Sequence, residues 1–313
     1  GEHNDMFANC FATGCSDRSD HKRTATTFAL GYDNDTIHAD IGTAPKISNN
    51  KIETTAIVGG AYYNFDINKF SFRAGVHRRA KDNSVLSYYG DTDPITRMKF
   101  GAVKKTGIDL SGSLYIDENS GIWSTFNADR LTGTNVDDNS SVVAMAGYYY
   151  HLLNKPNERI TISPNLMYMH YSKDLSGYTF GQCGYYSPQF YLGQGLSLAY
   201  MRRFNDTSIY AEISGSVSRS RTDGIDRYPI KVANIPDLYA KSQTESATSY
   251  GGGIRLAIEQ RITSHLVLGL QGNAVKAEDY SPLNLSAYFR YYFDSWEGDL
   301  FMPPKAPIPY VEW

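Results

Sequence analysis

The sequence predicts an all-β protein: a transmembrane, antiparallel, up-and-down β-barrel of the bacterial outer membrane with about 14 to 16 strands. Three observations predict it. Segments of about ten to fifteen residues alternate apolar and polar side chains, as strands with one lipid-facing side must. The links between segments alternate short and long, like the periplasmic turns and external loops of such barrels. The 25 tyrosines among 313 residues suit aromatic girdles at the two membrane interfaces.

The alternation is clearest in two segments. From Leu283 to Phe293, apolar side chains occupy the odd positions, while the even positions carry mainly polar or tyrosine side chains. The segment from Ile209 to Val217 has the same split. A soluble β-sandwich also alternates, but its strands usually have about five or six residues, whereas membrane-spanning strands need about nine to eleven. The length of the segments therefore favours the membrane barrel.

Thirteen candidate strands follow from this pattern: 24–33, 35–43, 55–64, 68–79, 103–116, 121–131, 141–152, 158–171, 189–202, 207–219, 248–260, 264–275 and 283–293. The short links lie near 33–35, 65–68, 117–120, 153–157, 203–207 and 260–264. The long links lie near 44–54, 80–101, 131–140, 172–187, 220–247 and 276–282. Each strand thus has one tight end, expected in the periplasm, and one loose end, expected outside the cell.

The strand count has a consequence for chain organisation. Residues 24–293 are the expected barrel, and the polar segment 1–23 is the expected external loop before it. Bacterial barrels have even strand numbers. An outward-running strand should therefore precede residue 24, which would make the chain a fragment of a longer protein. A missed strand inside 220–247 is the competing explanation, although Pro229 and Pro236 argue against a central strand there.

Charge and cysteines exclude some partners and leave one pairing open. Mean hydropathy is −0.42 and no run of 18 apolar residues suggests a membrane helix. The net charge of −3 gives no reason to expect nucleic acid as a partner. Cys10 and Cys15 are a disulfide candidate in an oxidising compartment. A zinc site built from these cysteines with His3 and His21 lacks a recognised spacing, so no metal is expected.

Residues 294–313 form a tail with prolines at positions 303, 304, 307 and 309. Such a segment favours the extended polyproline conformation at about 3.1 Å per residue, so it could reach roughly 60 Å. Because that exceeds the membrane thickness, one hypothesis is that the tail folds back into the lumen. The alternative is a loose periplasmic end.

Four segments are more specific than generic porin sequence: 39–45, 84–94, 131–139 and 178–189, the last containing Gly-Tyr-Tyr-Ser-Pro-Gln. Together they resemble the C-terminal barrel domain of the bacterial cellulose synthase operon C-protein family, outer-membrane exporters of cellulose. The resemblance covers roughly residues 35–293, and Cys183 stands where the family usually has glycine. It implies a 16-stranded barrel preceded by a periplasmic array of tetratricopeptide repeats. It also implies two partners, a linear glucan and an inner-membrane synthase complex reached through that array, in addition to the lipid of the outer membrane.

A glucan can slide through a pore if its hydroxyls meet polar side chains and its sugar faces meet aromatic rings, each contact being weak enough to exchange. The alternation places candidate side chains for this path in the lumen. Their charges have both signs, which suits a neutral glucan better than a polyanion such as alginate. The structural alternative for each is a salt bridge or hydrogen-bonded ladder in the wall. The candidates are Asp40, Arg73, His77, Asp109, Tyr115, Asn127, Asp129, Arg159, Asn165, Tyr191, Glu212, Arg255, Glu259, Tyr288, Arg290 and Tyr292.

Candidate exit or gate residues come from the long loops, and for the Tyr185–Gln189 segment a rigid turn that starts the next strand is the alternative. We expect no enzyme and no cofactor, because no nucleophile motif accompanies the histidines. The rival functions are a porin for small solutes and an exporter of another exopolysaccharide. The exit candidates are Tyr88, Asp93, Asn135, Asn139, Tyr185, Tyr186 and Gln189.

Overall fold

The computed structural model describes residues 26–48, 51–93, 96–231, 243–276, 283–308 and 310–312. Cys10, Cys15, His3, His21 and the predicted external segment 1–23 lie outside this part of the chain, so their predictions are untested. Fourteen strands occupy most of the described residues. They are β1 Ala29–Asp33, β2 Ile37–Ser48, β3 Lys51–Ile67, β4 Phe70–Ala80, β5 Asp91–Thr92, β6 Lys99–Tyr115, β7 Ser120–Thr134, β8 Asn139–Lys155, β9 Glu158–Tyr171, β10 Phe190–Phe204, β11 Thr207–Thr222, β12 Glu245–Thr263, β13 Leu266–Lys276 and β14 Leu283–Tyr291.

The strands form one antiparallel sheet in which each long strand pairs with its neighbours in the chain, while β5 pairs with β6 alone. Among the described residues, no pairing joins β1 to β14. A four-residue helix α1, Val85–Tyr88, and a 3₁₀ turn at Tyr310–Glu312 complete the secondary structure. In the ranges described, no helix has the length and apolar character needed to cross a membrane. The up-and-down, all-β architecture predicted from the alternation is confirmed.

The exposed face of the sheet is apolar. On β14, Leu283, Leu285 and Phe289 are 77%, 74% and 71% exposed, and on β3 Ile57 is 70% exposed. The same holds for Leu196 and its apolar neighbours on β10. Exposing such rows to water would cost about 25 cal/mol for each Å² of apolar surface, repeated over every long strand. A lipid environment removes this cost, whereas a soluble sandwich would have buried these rows.

Tight turns connect the strands at one end of the sheet. Two residues separate β3 from β4 and two separate β10 from β11; their first residues, Asn68 and Asn205, have φ values of 55° and 47°. This left-handed region is accessible to asparagine at low cost. These turns are among the short links that the sequence predicts, and they mark the end that we expect in the periplasm.

The opposite end differs from the prediction at the link 44–54. The structure extends β2 to Ser48 and starts β3 at Lys51, so most of that link is paired strand. Pro45, which suggested a loop, pairs with Thr55. Its nitrogen has the orientation of the Thr43 N–H, which donates to the Phe28 carbonyl, at a point beyond the last pair of β1. The missing N–H therefore removes no ladder hydrogen bond.

Candidate transport site: the polar face and the tail that crosses it

The path residues predicted from the alternation share the face opposite the apolar rows, which we call the polar face. Asp109 lies opposite Asn127 across β6 and β7, and Glu212 lies opposite Arg255 across β11 and β12. Tyr292 differs from the rest, because β14 ends at Tyr291 and Tyr292 follows it. The other predicted path residues on this face are Asp40, Arg73, His77, Tyr115, Asp129, Arg159, Asn165, Tyr191, Glu259, Tyr288 and Arg290.

A first charged cluster lies on β2, β4, β6 and β7. The guanidinium of Arg79 donates to both carboxylate oxygens of Asp40 at 2.5 and 2.6 Å. His77 lies between Asp109 and Asp129, with its Nε2 2.8 Å from Asp129 Oδ1. Since each charged group here faces an opposite charge or a titratable ring, the cluster offers no large field of one sign to a passing ligand.

A second cluster surrounds Glu259 on β12, whose side chain is completely buried. Its carboxylate accepts from the Tyr288 hydroxyl at 2.8 Å and from Arg290 at 3.2 Å, both on β14. It also accepts from the backbone N–H of Lys305 at 3.2 Å. A buried carboxylate is tolerated when its lone pairs are filled in this way. One of its partners comes from the tail rather than from the wall.

The tail begins at the tight-turn end of the sheet. The Trp296 ring stacks on Tyr292 with centroids 4.7 Å apart, and the guanidinium of Arg261 lies 4.8 Å from the Trp296 ring centroid. Farther along, Arg203 on β10 donates to the Leu300 carbonyl at 2.8 Å. The start of the tail is therefore held against the tight-turn ends of the strands from β10 to β14.

The middle of the tail runs along the polar face itself. The Ser208 hydroxyl on β11 donates to the Phe301 carbonyl at 2.5 Å, and Arg290 donates to the Lys305 carbonyl at 2.5 Å. These are the side chains of inward-facing positions, so the tail occupies the inside of the barrel-class sheet. Backbone groups of an extended, proline-rich segment are free for such contacts because it makes no hydrogen bonds of its own.

The tip of the tail reaches a different part of the wall. The Tyr310 hydroxyl donates to Asp40 Oδ1 at 3.0 Å and lies 3.3 Å from the Val58 carbonyl. The guanidinium of Arg79 lies 5.3 Å from the Tyr310 ring centroid. In the described chain, the tail thus passes from β10, β11 and β12 to β2, β3 and β4.

Aromatic rings lie flat on glycines elsewhere on the polar face. A Cβ added to Gly147 on β8 would come within 2.5 Å of the Trp123 ring on β7, and one added to Gly121 would meet the ring of Tyr149. The same arrangement joins Tyr62 to Gly75 and Tyr288 to Gly269. Glycine lets each ring lie against the wall rather than project into the lumen. The sequence analysis missed Trp123, Tyr149 and Tyr62, although inward glycines opposite aromatics were visible in the alternation.

The loose end of the sheet carries a small hydrophobic core of its own, which we call the cap. Helix α1 starts with a capping box between Ser84 and Ser87 and contributes a fully buried Leu86. The segment between β9 and β10 contributes Leu175 and Phe180. The remaining buried members of the cap are Phe100, Val103, Leu131, Val136, Tyr171, Cys183, Tyr185 and Tyr228.

Four of the predicted exit residues are buried in or beside the cap. Tyr185 is 2% exposed, and Asn139 donates to its hydroxyl at 3.4 Å. Gln189 accepts the Asp223 N–H at 2.7 Å, and Asp93 accepts the Thr96 N–H at 2.6 Å. Burial raises the pKa of the Tyr185 hydroxyl. These contacts hold the loops together, so the four side chains lie away from the lumen surface.

The other three exit candidates are accessible. Tyr186 is 49% exposed and lies edge-on to the ring of Tyr191 on the polar face, with centroids 6.4 Å apart. Asn135 is exposed with φ 50° and donates to the Lys99 carbonyl at 2.8 Å. Tyr88 is half-buried on α1 and packs near the tip of the tail. Contact with an exiting chain therefore remains a prediction for these three.

Comparison with solved structures defines the class of protein first. A bacterial polysaccharide outer membrane secretin superposes with a TM-score of 0.50 at 12% identity, covering 85% of this chain and 80% of that chain. At that identity the likeness concerns the fold. Together with the apolar exterior, it identifies the outer-membrane β-barrel class and confirms the predicted location in the bacterial outer membrane.

The family follows from the sequence comparisons. The family model of the cellulose synthase operon protein C C-terminus matches residues 1–294, so the chain belongs to this family. Cellulose synthase operon protein C of Escherichia coli K12 is 37% identical over 320 residues, covering all of this chain and 27% of that protein. The Salmonella typhimurium LT2 protein of the same name is 36% identical over 323 residues, with the same coverage. The chain thus spans about a quarter of the length of these relatives.

Proposed function

We propose that this chain is the channel through which a linear glucan, cellulose, crosses the outer membrane. The observation that carries the proposal is the chemistry of the polar face, where flat aromatic rings alternate with hydroxyls and internally paired charges. Aromatic faces stack on sugar rings and hydroxyls exchange hydrogen bonds with sugar hydroxyls. Because each contact is weak, a polymer can advance from one to the next.

The path runs along the wall formed by β6 to β8, away from the part of the wall that the middle of the tail occupies. A groove of about 360 Å³ on the sheet there is lined by Ser111, Ser113, Trp123 and Thr125, with Arg73 at its edge. Arg73 stacks over the Tyr62 ring at 4.2 Å, so its charge is partly covered. The groove therefore combines hydroxyl donors with an indole face, which is what a β-linked glucan ribbon presents in complement.

The charge arrangement favours a neutral polymer over a polyanion. Asp40 with Arg79, and Glu259 with Arg290, are ion pairs within the wall. A channel for a polyanion would need cations that face the lumen without a wall partner. The resulting function is transport without covalent chemistry. The rival for this geometry is a small-solute porin, which would not need flat aromatic rings.

A periplasmic scaffold and an inner-membrane synthase complex are the proposed partners beyond the glucan and the lipid. The support is the length of the relatives: cellulose synthase operon protein C of Pseudomonas fluorescens matches 85% of this chain with only 21% of its own length. In those proteins most of the sequence lies outside the part that this chain matches. A polymer made at the inner membrane would need such a connection to reach the barrel.

The test compares two adjacent tyrosines on opposite faces of β8 in cells that express the intact protein. Tyr149 lies on the polar face over Gly121, whereas Tyr148 is 37% exposed on the apolar face. We expect Tyr149→Ala, and Trp123→Ala beside it, to lower the amount of secreted cellulose severalfold, with Tyr148→Ala leaving it unchanged. Immunoblots of outer membranes provide the control for protein level.

Equal secretion by all three variants at equal protein levels would contradict the proposed path. A second readout separates the rival function. Cello-oligosaccharides added to the protein in a planar bilayer should interrupt the ion current of the unmodified protein and interrupt it less in Tyr149→Ala. A current that these sugars never interrupt would favour the small-solute porin.

A further inference from the structure

A cavity of about 420 Å³ lies between helix α1, strands β2 to β4 and the tip of the tail. Its size falls within the range of about 300–1,000 Å³ for small-ligand sites. Tyr88 and Tyr89 come from the helix and its C-terminal end, Tyr310 comes from the tail, and Ala44 and Val58 form the floor. Because three separate parts of the chain meet here, the cavity exists only while the tail is docked.

The three tyrosine rings around this cavity are held in place. Tyr88 and Tyr89 pack edge to face with centroids 4.7 Å apart at 85°, so their faces point in two directions. Tyr310 is fixed by its hydroxyl on Asp40 and by the Arg79 guanidinium near its ring. Sugar recognition by stacking depends on such pre-positioned rings, since ordering them on binding would cost free energy.

The polar groups at the cavity suit an uncharged, hydroxyl-rich ligand. The guanidinium of Arg79 is neutralised by Asp40 at 2.5 Å, and Thr27, Thr43 and Asp82 bring hydroxyl and carboxylate oxygens to the lining. A purely apolar ligand would leave these oxygens without partners, and an anion would face Asp82. A short glucan segment meets both the rings and the oxygens.

We propose that this cavity is a saccharide subsite at the outer end of the channel, in which Tyr310 and Tyr88 grip a short segment of the emerging β-1,4-glucan. The proposal rests on the proposed function and adds a site to it. Since Tyr310 is a wall of the subsite, bound glucan and the docked tail stabilise each other by linkage. The tail then serves as part of the path, rather than only as an obstruction within it.

The test uses the intact protein in lipid nanodiscs, with its native cysteines replaced by serine and a reporter cysteine at Val85, which lines the cavity. The measurement is the rate at which a water-soluble maleimide modifies Val85→Cys, with and without cellohexaose. We expect cellohexaose to slow the reaction at least fivefold and the α-linked maltohexaose to leave it unchanged. Tyr310→Ala or Tyr88→Ala, added to the reporter, should abolish the protection, while Tyr88→Phe should retain it.

A second reporter at Thr125 in the groove of the polar face distinguishes this proposal from the proposed function. Protection at Thr125→Cys without protection at Val85→Cys would overturn the subsite and leave the glucan path standing. Protection at Val85→Cys that survives Tyr310→Ala and Tyr88→Ala would also overturn it. Absence of protection at both reporters would contradict the subsite and the path together.

Discussion

The contact between Gly147 and the Trp123 ring gives a prediction whose magnitude follows from the structure. A Cβ at residue 147 would lie 2.5 Å from Trp123 Cε2 and Cζ2, whereas an unstrained carbon contact needs about 3.5–4.0 Å. The indole must therefore move by about 1 Å or leave the wall. Overpacking of this kind costs about 1–3 kcal/mol, so we expect Gly147→Ala to lower the free energy of unfolding by that amount.

Gly215→Ala on β11 is the matched control, because nothing lies within 4 Å of the Cβ that it would add. There, the lower entropy of the unfolded chain should leave stability unchanged or raise it by up to about 1 kcal/mol. In a Trp123→Ala background, Gly147→Ala should cost nothing, giving a coupling energy of about 1–3 kcal/mol between the two sites.

Urea-induced unfolding of the intact protein in lipid vesicles, followed by tryptophan fluorescence and by heat-dependent gel mobility, measures these differences. Equal effects of Gly147→Ala and Gly215→Ala would refute the reasoning. So would a cost at residue 147 that persists after Trp123 is removed, because the ring would then not be its cause.

Three further predictions concern the cap and the tail. Tyr185→Ala should destabilise the cap by about 3–5 kcal/mol and open the external loops to added protease, whereas the exposed Tyr186→Ala should change stability by less than about 0.5 kcal/mol. Burial raises the pKa of Cys183 to about 12, so only about one thiol in ten thousand is ionised at pH 8. Alkylation of Cys183 should therefore be far slower than that of Asn135→Cys and should accelerate as pH rises; equal rates would show that the thiol is not buried. Glu259→Ala should leave Arg290 without its carboxylate and weaken the tail contact at Lys305, at a cost of about 3–5 kcal/mol, and cleavage of the tail by a periplasmic protease should increase.

The fold could be predicted from the sequence because lipid imposes period two on every strand that crosses it. Each of the thirteen candidate segments corresponds to a strand of the main sheet, and 158–171 coincides with β9. The errors lie at the ends, where the backbone leaves the membrane and both polar and apolar residues continue the ladder. The link 44–54 and the two-residue strand β5 are examples, since pairing there depends on neighbours that no local pattern reveals.

The candidate site was predictable only in part. Alternation placed Asp40, Glu259 and Arg290 on the polar face, but it did not indicate that the tail would supply partners for them. Contacts of this kind join residues as many as 270 positions apart, such as Tyr310 and Asp40. The Tyr185–Gln189 segment shows the opposite error: its distinctive sequence suggested a gate, whereas the burial of Tyr185 and Gln189 indicates a packing requirement.

Access of a water-soluble thiol reagent to two adjacent positions on β7 tests the central claim most directly. The claim is that the polar face lines an aqueous bore in which the glucan moves, while the opposite face contacts lipid. Thr125 lines the groove on the polar face and Phe126 is exposed on the apolar face. In cells carrying the intact protein, otherwise free of cysteine, Thr125→Cys should react rapidly without cellulose synthesis and slowly during it, and Phe126→Cys should stay unreactive in both states. Equal reaction at the two positions, or a Thr125→Cys rate that synthesis does not change, would contradict the account.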